Sequence, residues 1–220
     1  MTDYNVMPDY QTRRKIINDI CEKYSFVHHS FAGKSVCGRC IDVLHIGNTK
    51  NCVLYCAGFH GSEYLTVTAV LKFFEQCADA MENDSVVGRY KIRDFLREKG
   101  LTIVPCVNPD GVEIAIHGSD AALKYKSLVE KASKENKVWQ ANARGVDINH
   151  NFNAGWNELK NRELSMNIKA PSATRFGGNA PESEPETKAL TNLCKRNNFD
   201  RAIACLLYTS DAADDRISVD

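Results

Sequence analysis

A histidine and a glutamate three residues apart are the first residues in this sequence whose types and spacing could hold a metal ion. His60 and Glu63 follow the apolar run CVLYCAGF, where a predicted strand gives way to a predicted helix. Side chains at such a junction can converge on one ion, and imidazole with carboxylate suits Zn²⁺. A catalytic zinc takes three protein ligands plus water, so this pair alone is incomplete. The alternative is a surface histidine and glutamate at a helix start.

Two further polar segments could share a crevice with this pair. The apolar run LTIVPCV ends at Asn108-Pro109-Asp110-Gly111, and residues 142–152 hold one Arg, one Asp, one His and three Asn. Ligands of open α/β sheets bind beyond the carboxyl ends of the strands, where such segments meet. Taken alone, residues 142–152 could equally be a polar loop with an Asx-type turn.

Hydrophobic periodicity predicts alternating helices and strands around these segments. Helices are predicted at 10–24, 61–77, 90–99, 119–134 and 182–196, and strands at 26–31, 40–46, 52–59, 101–107 and 199–205. Asn108–Gly111 is predicted to be a chain-breaking turn, and His117 to end a short strand. Residues 138–182 are predicted to be irregular. The alternation predicts a three-layer α/β/α sandwich with a mixed, largely parallel sheet.

Composition and charge exclude several classes of function. The 220 residues carry 28 Lys and Arg against 28 Asp and Glu, so no basic surface for nucleic acid or an anionic membrane is expected. No apolar run approaches the ~20 residues of a membrane span, and the first residues do not resemble a signal peptide. Nine scattered cysteines, an odd number, favour free thiols in a reducing compartment. We therefore expect a cytoplasmic protein.

Four motifs in order resemble the zinc carboxypeptidase family of metallopeptidases. They are AGFHGSE, VPCVNPDGVE, ARGVDINHNF and ESEPET, and the resemblance runs from about residue 30 to Cys205. Within the family, the stretches FHGSEYLT, NPDGVEIAIHG, WQANARGVDINHNFNAGW and RFGG look most like bacterial γ-D-glutamyl-meso-diaminopimelate peptidases. Those enzymes cut the stem peptides of the cell wall.

The resemblance implies roles for individual residues. His60 and Glu63 match two zinc ligands, and Asp147 matches the carboxylate that holds the other ring nitrogen of the histidine ligand. Asn149 matches an asparagine that grips the terminal carboxylate of the substrate.

Two further positions in the same segment are expected to contact the substrate. His150 stands where the family has an arginine, so a bidentate guanidinium clamp is replaced by a weaker, pH-dependent imidazole. That departure favours an unusual peptide end such as diaminopimelate. Arg144 could polarise the scissile carbonyl and stabilise its oxyanion.

The resemblance also implies that part of the site is missing. The third zinc ligand is a histidine directly after the strand at 199–205, but Leu206 stands there and no histidine follows His150. The general-base glutamate would lie tens of residues further on. Residues 1–205 are therefore interpreted as an incomplete catalytic domain, and 206–220, which include LLYTSDAADD, as a non-native tail. His117 and His150 are weaker candidates for the lost ligand.

These observations predict a zinc-dependent peptidase acting on γ-D-glutamyl-diaminopimelate bonds, with a peptide as its partner and one zinc ion as its cofactor. Zinc would activate a water molecule with a glutamate as general base. This chain, lacking those groups, is expected to be inactive. The alternatives are a metallocarboxypeptidase releasing C-terminal amino acids, a zinc amidohydrolase of the aspartoacylase type, and a non-catalytic muropeptide-binding module.

Overall fold

The computed structural model describes residues 2–133 and 138–207, which form a five-stranded sheet, a short hairpin and flanking helices. The helices are α1 (Tyr10–Lys23), α2 (Tyr64–Glu82), α3 (Ile92–Glu98), α4 (Pro109–His117), α5 (Lys126–Ala132), α6 (Trp156–Ser165) and α7 (Pro185–Arg196). The strands are β1 (His28–Lys34), β2 (Cys40–Ile46), β3 (Cys52–Cys56), β4 (Val86–Val87), β5 (Tyr90–Lys91), β6 (Gly100–Val104) and β7 (Phe199–Ala204). Short 3₁₀ segments occupy Gly61–Glu63 and Ser119–Tyr125.

The main sheet is mixed, with the strand order β1-β2-β6-β3-β7. The pairs β1/β2 and β2/β6 are antiparallel, whereas β6/β3 and β3/β7 are parallel. A short loop joins β1 to β2 and therefore reverses the chain, while helical crossovers separate the parallel strands. The mixed α/β fold is confirmed, and its parallel part is limited to the three strands β6, β3 and β7.

Alternating side chains of the sheet face two separate helical layers. In β2, Leu44 and Ile46 pack in one buried cluster with the isoleucines of α1 and the apolar face of α2. Ile41 and Val43, at the alternate positions of the same strand, belong to a second cluster, which includes Leu190 of α7. The predicted three-layer arrangement is therefore present. None of the described helices is long and apolar enough to cross a lipid bilayer.

The predicted turn at Asn108–Gly111 is wrong, because helix α4 begins there. The Asn108 side chain accepts a hydrogen bond from the Gly111 backbone N–H at 2.8 Å, and Pro109 occupies the first helical turn, where it needs no donor. His117 consequently ends a helix instead of a strand. Its Nε2 lies 3.1 Å from Asp9 Oδ2, so this histidine is engaged away from His60.

The predicted irregular segment 138–182 contains helix α6. This helix is mostly polar, and it starts after Gly155, whose φ of 71° falls in the left-handed region that favours glycine. Its polar composition hides the hydrophobic periodicity on which the prediction depends. Of the proposed tail, only Leu206 and Leu207 are among the described residues, and 208–220 lie outside them.

The buried carboxylate of Glu186 links the start of α7 to two loops by hydrogen bonds. Glu186 is fully buried; its Oε1 accepts a hydrogen bond from Val36 N–H at 3.0 Å, and its Oε2 from Asn142 Nδ2 at 3.3 Å. Burial, with a further contribution from Asp110, raises the pKa of Glu186 to about 7.

We expect Glu186→Gln to flatten the pH dependence of the free energy of unfolding. The ordinary pKa of 4.5 rises to about 7 on folding, so the folded state binds this proton more tightly and stability falls as pH rises between those values. The loss should reach up to about 3 kcal/mol in the parent chain. Urea denaturation between pH 4.5 and 7.5 measures it, with Glu98→Gln as an exposed control. Parallel stability curves for parent and Glu186→Gln would contradict the assignment.

Candidate functional site

The carboxyl ends of the three parallel strands meet at one edge of the sheet and form the predicted crevice. Backbone hydrogen bonds join the chain after β3 to the chain after β6. Ala57 N–H donates to Val104 O at 3.0 Å, and Asn108 N–H donates to Gly58 O at 2.8 Å. His60 follows the first of these segments. Leu206 follows β7, which pairs with β3 on its other side. The site lies where strand ends of a parallel sheet normally bind ligands.

The backbone around His60 is fixed by Asn108 and by the segment after residue 138. Asn108 is completely buried, and its Nδ2 donates to Phe59 O at 2.9 Å and to Gln140 O at 3.2 Å. Gly61 N–H also donates to Gln140 O, at 3.1 Å. The motif that starts α4 therefore also holds the His60 turn in place.

Gly61 is required by close approach of backbone segments. A Cβ atom at this position would clash with the carbonyl groups of Gly111 and Trp139. The next residue, Ser62, donates its N–H to the same Trp139 carbonyl at 2.9 Å. The turn that carries His60 and Glu63 is thus packed directly against the main chain of two other segments.

His60 and Glu63 converge as their spacing predicts. His60 Nδ1 lies 2.8 Å from Glu63 Oε1, while His60 Nε2 lies 3.2 Å from Asp147 Oδ1. All three side chains are buried. Burial disfavours the charged imidazole, but Asp147 and Glu63 outweigh it and raise the pKa of His60 to about 10. The ring is therefore held between two carboxylates, one at each nitrogen.

Asp147 connects this pair to the rest of the crevice. Besides His60, its Oδ1 accepts from Asn149 N–H at 3.1 Å, and its Oδ2 accepts from Arg175 N–H at 3.0 Å. Burial opposes the charge, yet His150 and His60 together with the Arg175 amide hold the pKa of Asp147 below its ordinary value. With this carboxylate on the Nε2 side, Nδ1 is the nitrogen that could face a metal.

The chain after β7 contacts the turn that carries His60 and Glu63. Leu206 packs its apolar side chain against the cluster that includes Phe59 and Ile148. Glu63 Oε2 accepts the backbone N–H of Leu207 at 3.0 Å. Within residues 2–133 and 138–207, no group of three or more His, Cys, Asp or Glu could hold a metal ion. The His60–Glu63 pair thus has the donor types that zinc takes in proteins.

The residues expected to contact substrate are divided between two places. Asn149 and His150 lie on the turn after Asp147, and His150 Nδ1 lies 3.0 Å from the carbonyl oxygen of Arg175, to which it can donate. Arg144 contacts Glu184 instead of the His60–Glu63 pair, with 3.7 Å between Arg144 Nε and Glu184 Oε2. His150 is therefore no third member of the metal pair.

Two functional contributors were not assigned a role from the sequence. Asn142 is fully buried, and its Oδ1 accepts the backbone N–H groups of Arg144 and Val146, which shapes the turn leading to Asp147. Its Nδ2 donates to Glu184 Oε2 at 2.8 Å. Asn142 and Glu184 both lie in sequence motifs that resemble the family. The sequence does not indicate that their side chains contact each other, and only the fold brings them together.

Comparison with known proteins gives the chain a family. The family described as zinc carboxypeptidase matches residues 14–210. The γ-D-glutamyl-L-diamino acid endopeptidase 1 of Lysinibacillus sphaericus is 32% identical over 194 residues, covering 87% of this chain and 48% of that protein. Rat carboxypeptidase B is 30% identical over 174 residues, covering 78% of this chain and 37% of that protein.

Solved structures agree on the fold. Carboxypeptidase A from Helicoverpa armigera aligns with a TM-score of 0.70 at 20% identity, covering 94% of this chain and 47% of that one. Bovine thrombin-activatable fibrinolysis inhibitor aligns with a TM-score of 0.67 at 21% identity, covering 94% of this chain and 62% of that one. The chain spans about half the length, or less, of the curated relatives named here and of a further bacterial relative from Bacillus subtilis. With its motifs, sheet and paired site residues in the family's order, this chain belongs to the zinc carboxypeptidase family of hydrolytic metallopeptidases.

Proposed function

We propose that this chain is part of a zinc peptidase that hydrolyses γ-D-glutamyl bonds to diaminopimelate in cell-wall stem peptides. The observation that carries the chemistry is the convergence of His60 Nδ1 and Glu63 Oε1, with Asp147 on the opposite ring nitrogen. The substrate class is supported by the Lysinibacillus sphaericus relative, whose name describes a γ-D-glutamyl-L-diamino acid endopeptidase.

The roles of this chain's own residues follow from their contacts. Asp147 orients the His60 ring and keeps Nδ1 turned toward Glu63. Asn149 and His150 are proposed to bind the substrate from the turn that Asp147 holds, and Arg144 to polarise the scissile carbonyl. Arg144 would need its guanidinium, which is only partly exposed beside Glu184, to reach the bound peptide.

We also propose that the chain by itself binds zinc weakly and does not hydrolyse peptides. Two protein ligands leave a zinc ion mostly exposed to water, and an apolar Leu206 follows the strand beside them. The Leu207 amide further occupies one oxygen of Glu63. A metal ion would have to displace that contact as well as the contact between His60 Nδ1 and Glu63 Oε1.

A metallocarboxypeptidase that releases C-terminal amino acids is the second candidate. It is favoured by the 30% identity to rat carboxypeptidase B. A muropeptide-binding module without catalysis is the third candidate, and the incomplete ligand set favours it. Membership of the zinc carboxypeptidase family favours a peptidase over an amidohydrolase of the aspartoacylase type.

A cytoplasmic location remains part of the proposal. All nine cysteines lie within the described residues and are free thiols. Burial raises the pKa of several, including Cys77 and Cys106, each to about 11, so these thiols are unreactive core groups. A peptide is the proposed partner, and neither a nucleic acid nor a membrane is invoked.

We expect Leu206→His to tighten zinc binding by at least about tenfold, because it adds a third ligand at the end of the strand beside Glu63. Competition titration with a chromophoric chelator measures the affinity. Leu207→His is the matched control, since it makes the same change one residue along at an exposed side chain. The parent chain retaining one zinc per molecule through dialysis, together with hydrolysis of a γ-D-glutamyl-diaminopimelate peptide, would contradict the proposed incomplete site.

Peptide preference should separate the three candidate functions. We expect the parent chain to bind γ-D-glutamyl-meso-diaminopimelate more tightly than a blocked α-linked dipeptide, as measured by NMR titration with and without zinc. A preference for the α-linked dipeptide would instead support a carboxypeptidase. Binding that a chelator leaves unchanged would support the non-catalytic module, whereas chelator-sensitive binding would exclude it.

A further inference from the structure

The side-chain amide of Asn142 lies between a backbone turn and two buried carboxylates. Its Oδ1 accepts the N–H groups of Arg144 and Val146, at 2.9 and 3.1 Å. Its Nδ2 donates to Glu184 Oε2 at 2.8 Å and to Glu186 Oε2 at 3.3 Å. Asn142 is completely buried, so all four hydrogen bonds lie out of contact with solvent.

These four partners permit one orientation of the amide. An ionised carboxylate only accepts hydrogen bonds and a backbone N–H only donates them, whereas a side-chain amide has one accepting end and one donating end. With the amide turned over, its oxygen would face Glu184 and Glu186, and its N–H₂ group would face the N–H groups of the turn. Each of those contacts would be repulsive in a buried place. The two carboxylates therefore decide which end of Asn142 meets the turn.

The turn that Asn142 closes carries Arg144. Besides the side-chain hydrogen bonds, Asn142 N–H donates to Val146 O at 2.8 Å, and Gly145 N–H donates to Asn142 O at 3.0 Å. Arg144 Nε lies 3.7 Å from the same oxygen of Glu184 that accepts from Asn142. One oxygen of Glu184 thus contacts both the amide that shapes the turn and the guanidinium on it.

The two carboxylates are themselves held by other parts of the fold. Glu186 Oε1 accepts Val36 N–H at 3.0 Å, from the turn between β1 and β2. Glu184 N–H donates to Asn151 Oδ1 at 3.1 Å, and its Oε1 accepts from the Ser183 hydroxyl at 3.0 Å. Because these contacts do not involve Asn142, the two carboxylates can orient its amide.

We propose that Glu184 and Glu186 are positioning residues for Arg144, acting through the orientation of the Asn142 amide. This assignment rests on the proposed function, in which Arg144 polarises the scissile carbonyl. The Arg144 side chain is 42% exposed, whereas that of Glu184 is 4% exposed, so a ligand can reach the guanidinium and not the carboxylate. Both carboxylates act on the backbone from which the guanidinium projects.

The first variant of the test changes the polarity of one side chain without changing its size. Asn142→Asp keeps an acceptor for the Arg144 and Val146 amides but presents its second oxygen to Glu184 and Glu186, which is repulsive. Measurement at about pH 8 keeps Glu186 ionised, since its pKa is raised to about 7. We expect the protection of both backbone amides from hydrogen exchange to fall at least about tenfold. The Arg144 Nε–H resonance should also shift.

A triple variant restores the match with donors and acceptors exchanged. When Asn142→Asp is combined with Glu184→Gln and Glu186→Gln, two introduced amides can donate to one introduced carboxylate, and position 186 can still accept Val36 N–H. We expect amide protection to return to within about threefold of the parent chain. If these side chains only filled space, three substitutions would lower protection more than one does.

Glu182→Gln is the matched control, because it makes the same change of carboxylate to amide in the same acidic segment, at a residue that is not a partner of Asn142. It should leave the protection of both amides unchanged. On the same samples, the affinity for γ-D-glutamyl-meso-diaminopimelate, measured by NMR titration, should fall in Asn142→Asp and recover in the triple variant.

Parental amide protection in Asn142→Asp would overturn the positioning role, and so would a triple variant that is no better protected than the single one. An Asn142→Asp chain that unfolds while the triple variant folds would support the proposal, whereas unfolding of both would overturn it. Unchanged dipeptide affinity in a variant that has lost amide protection would overturn the link to Arg144.

Failure of the proposed function has a different signature. A parent chain that does not bind the dipeptide would overturn the proposed substrate class. The amide measurements need no ligand, and they would still decide whether the two carboxylates orient Asn142.

Discussion

The buried carboxylate of Asp147 is the group on which the arrangement of this molecule depends. An ionised carboxylate out of contact with water is costly unless hydrogen bonds compensate its charge. Here the compensation comes from the His60 ring and from the backbone N–H groups of Asn149 and Arg175. These three groups belong to segments far apart in the sequence. Because these segments meet at one buried charge, the contacts that form the candidate site also stabilise the fold.

The same carboxylate also positions the two prospective zinc ligands. Glu63 and Asp147 lie against opposite ring nitrogens of His60. Burial lowers the pKa of His60, but the two carboxylates outweigh it and raise the pKa. The orientation of the ring is therefore set by two carboxylates, and one of them is itself held by backbone N–H groups.

Parts of the structure that depend on local sequence could be predicted, and parts that depend on distant backbone contacts could not. The spacing of His60 and Glu63 predicted that they converge, the family resemblance pointed to Asp147, and apolar periodicity predicted most elements of the sheet and its helices. Helix α4 was missed because asparagine and proline that end a strand also start a helix. Arg175 was not assigned because its bonds to Asp147 and His150 come from main-chain atoms, which carry no residue-type signal.

The close packing at Gly61 has a consequence for how this site can vary among related sequences. Gly61 and Gly111 both lie where a Cβ atom would collide with the main chain of another segment. The spacing between these segments is therefore set by peptide groups, and exchanging side chains cannot adjust it. Mutational tolerance should be lowest at this junction. Ligand preference can vary instead at positions such as the turn after Asp147, where a side chain can change without moving the backbone.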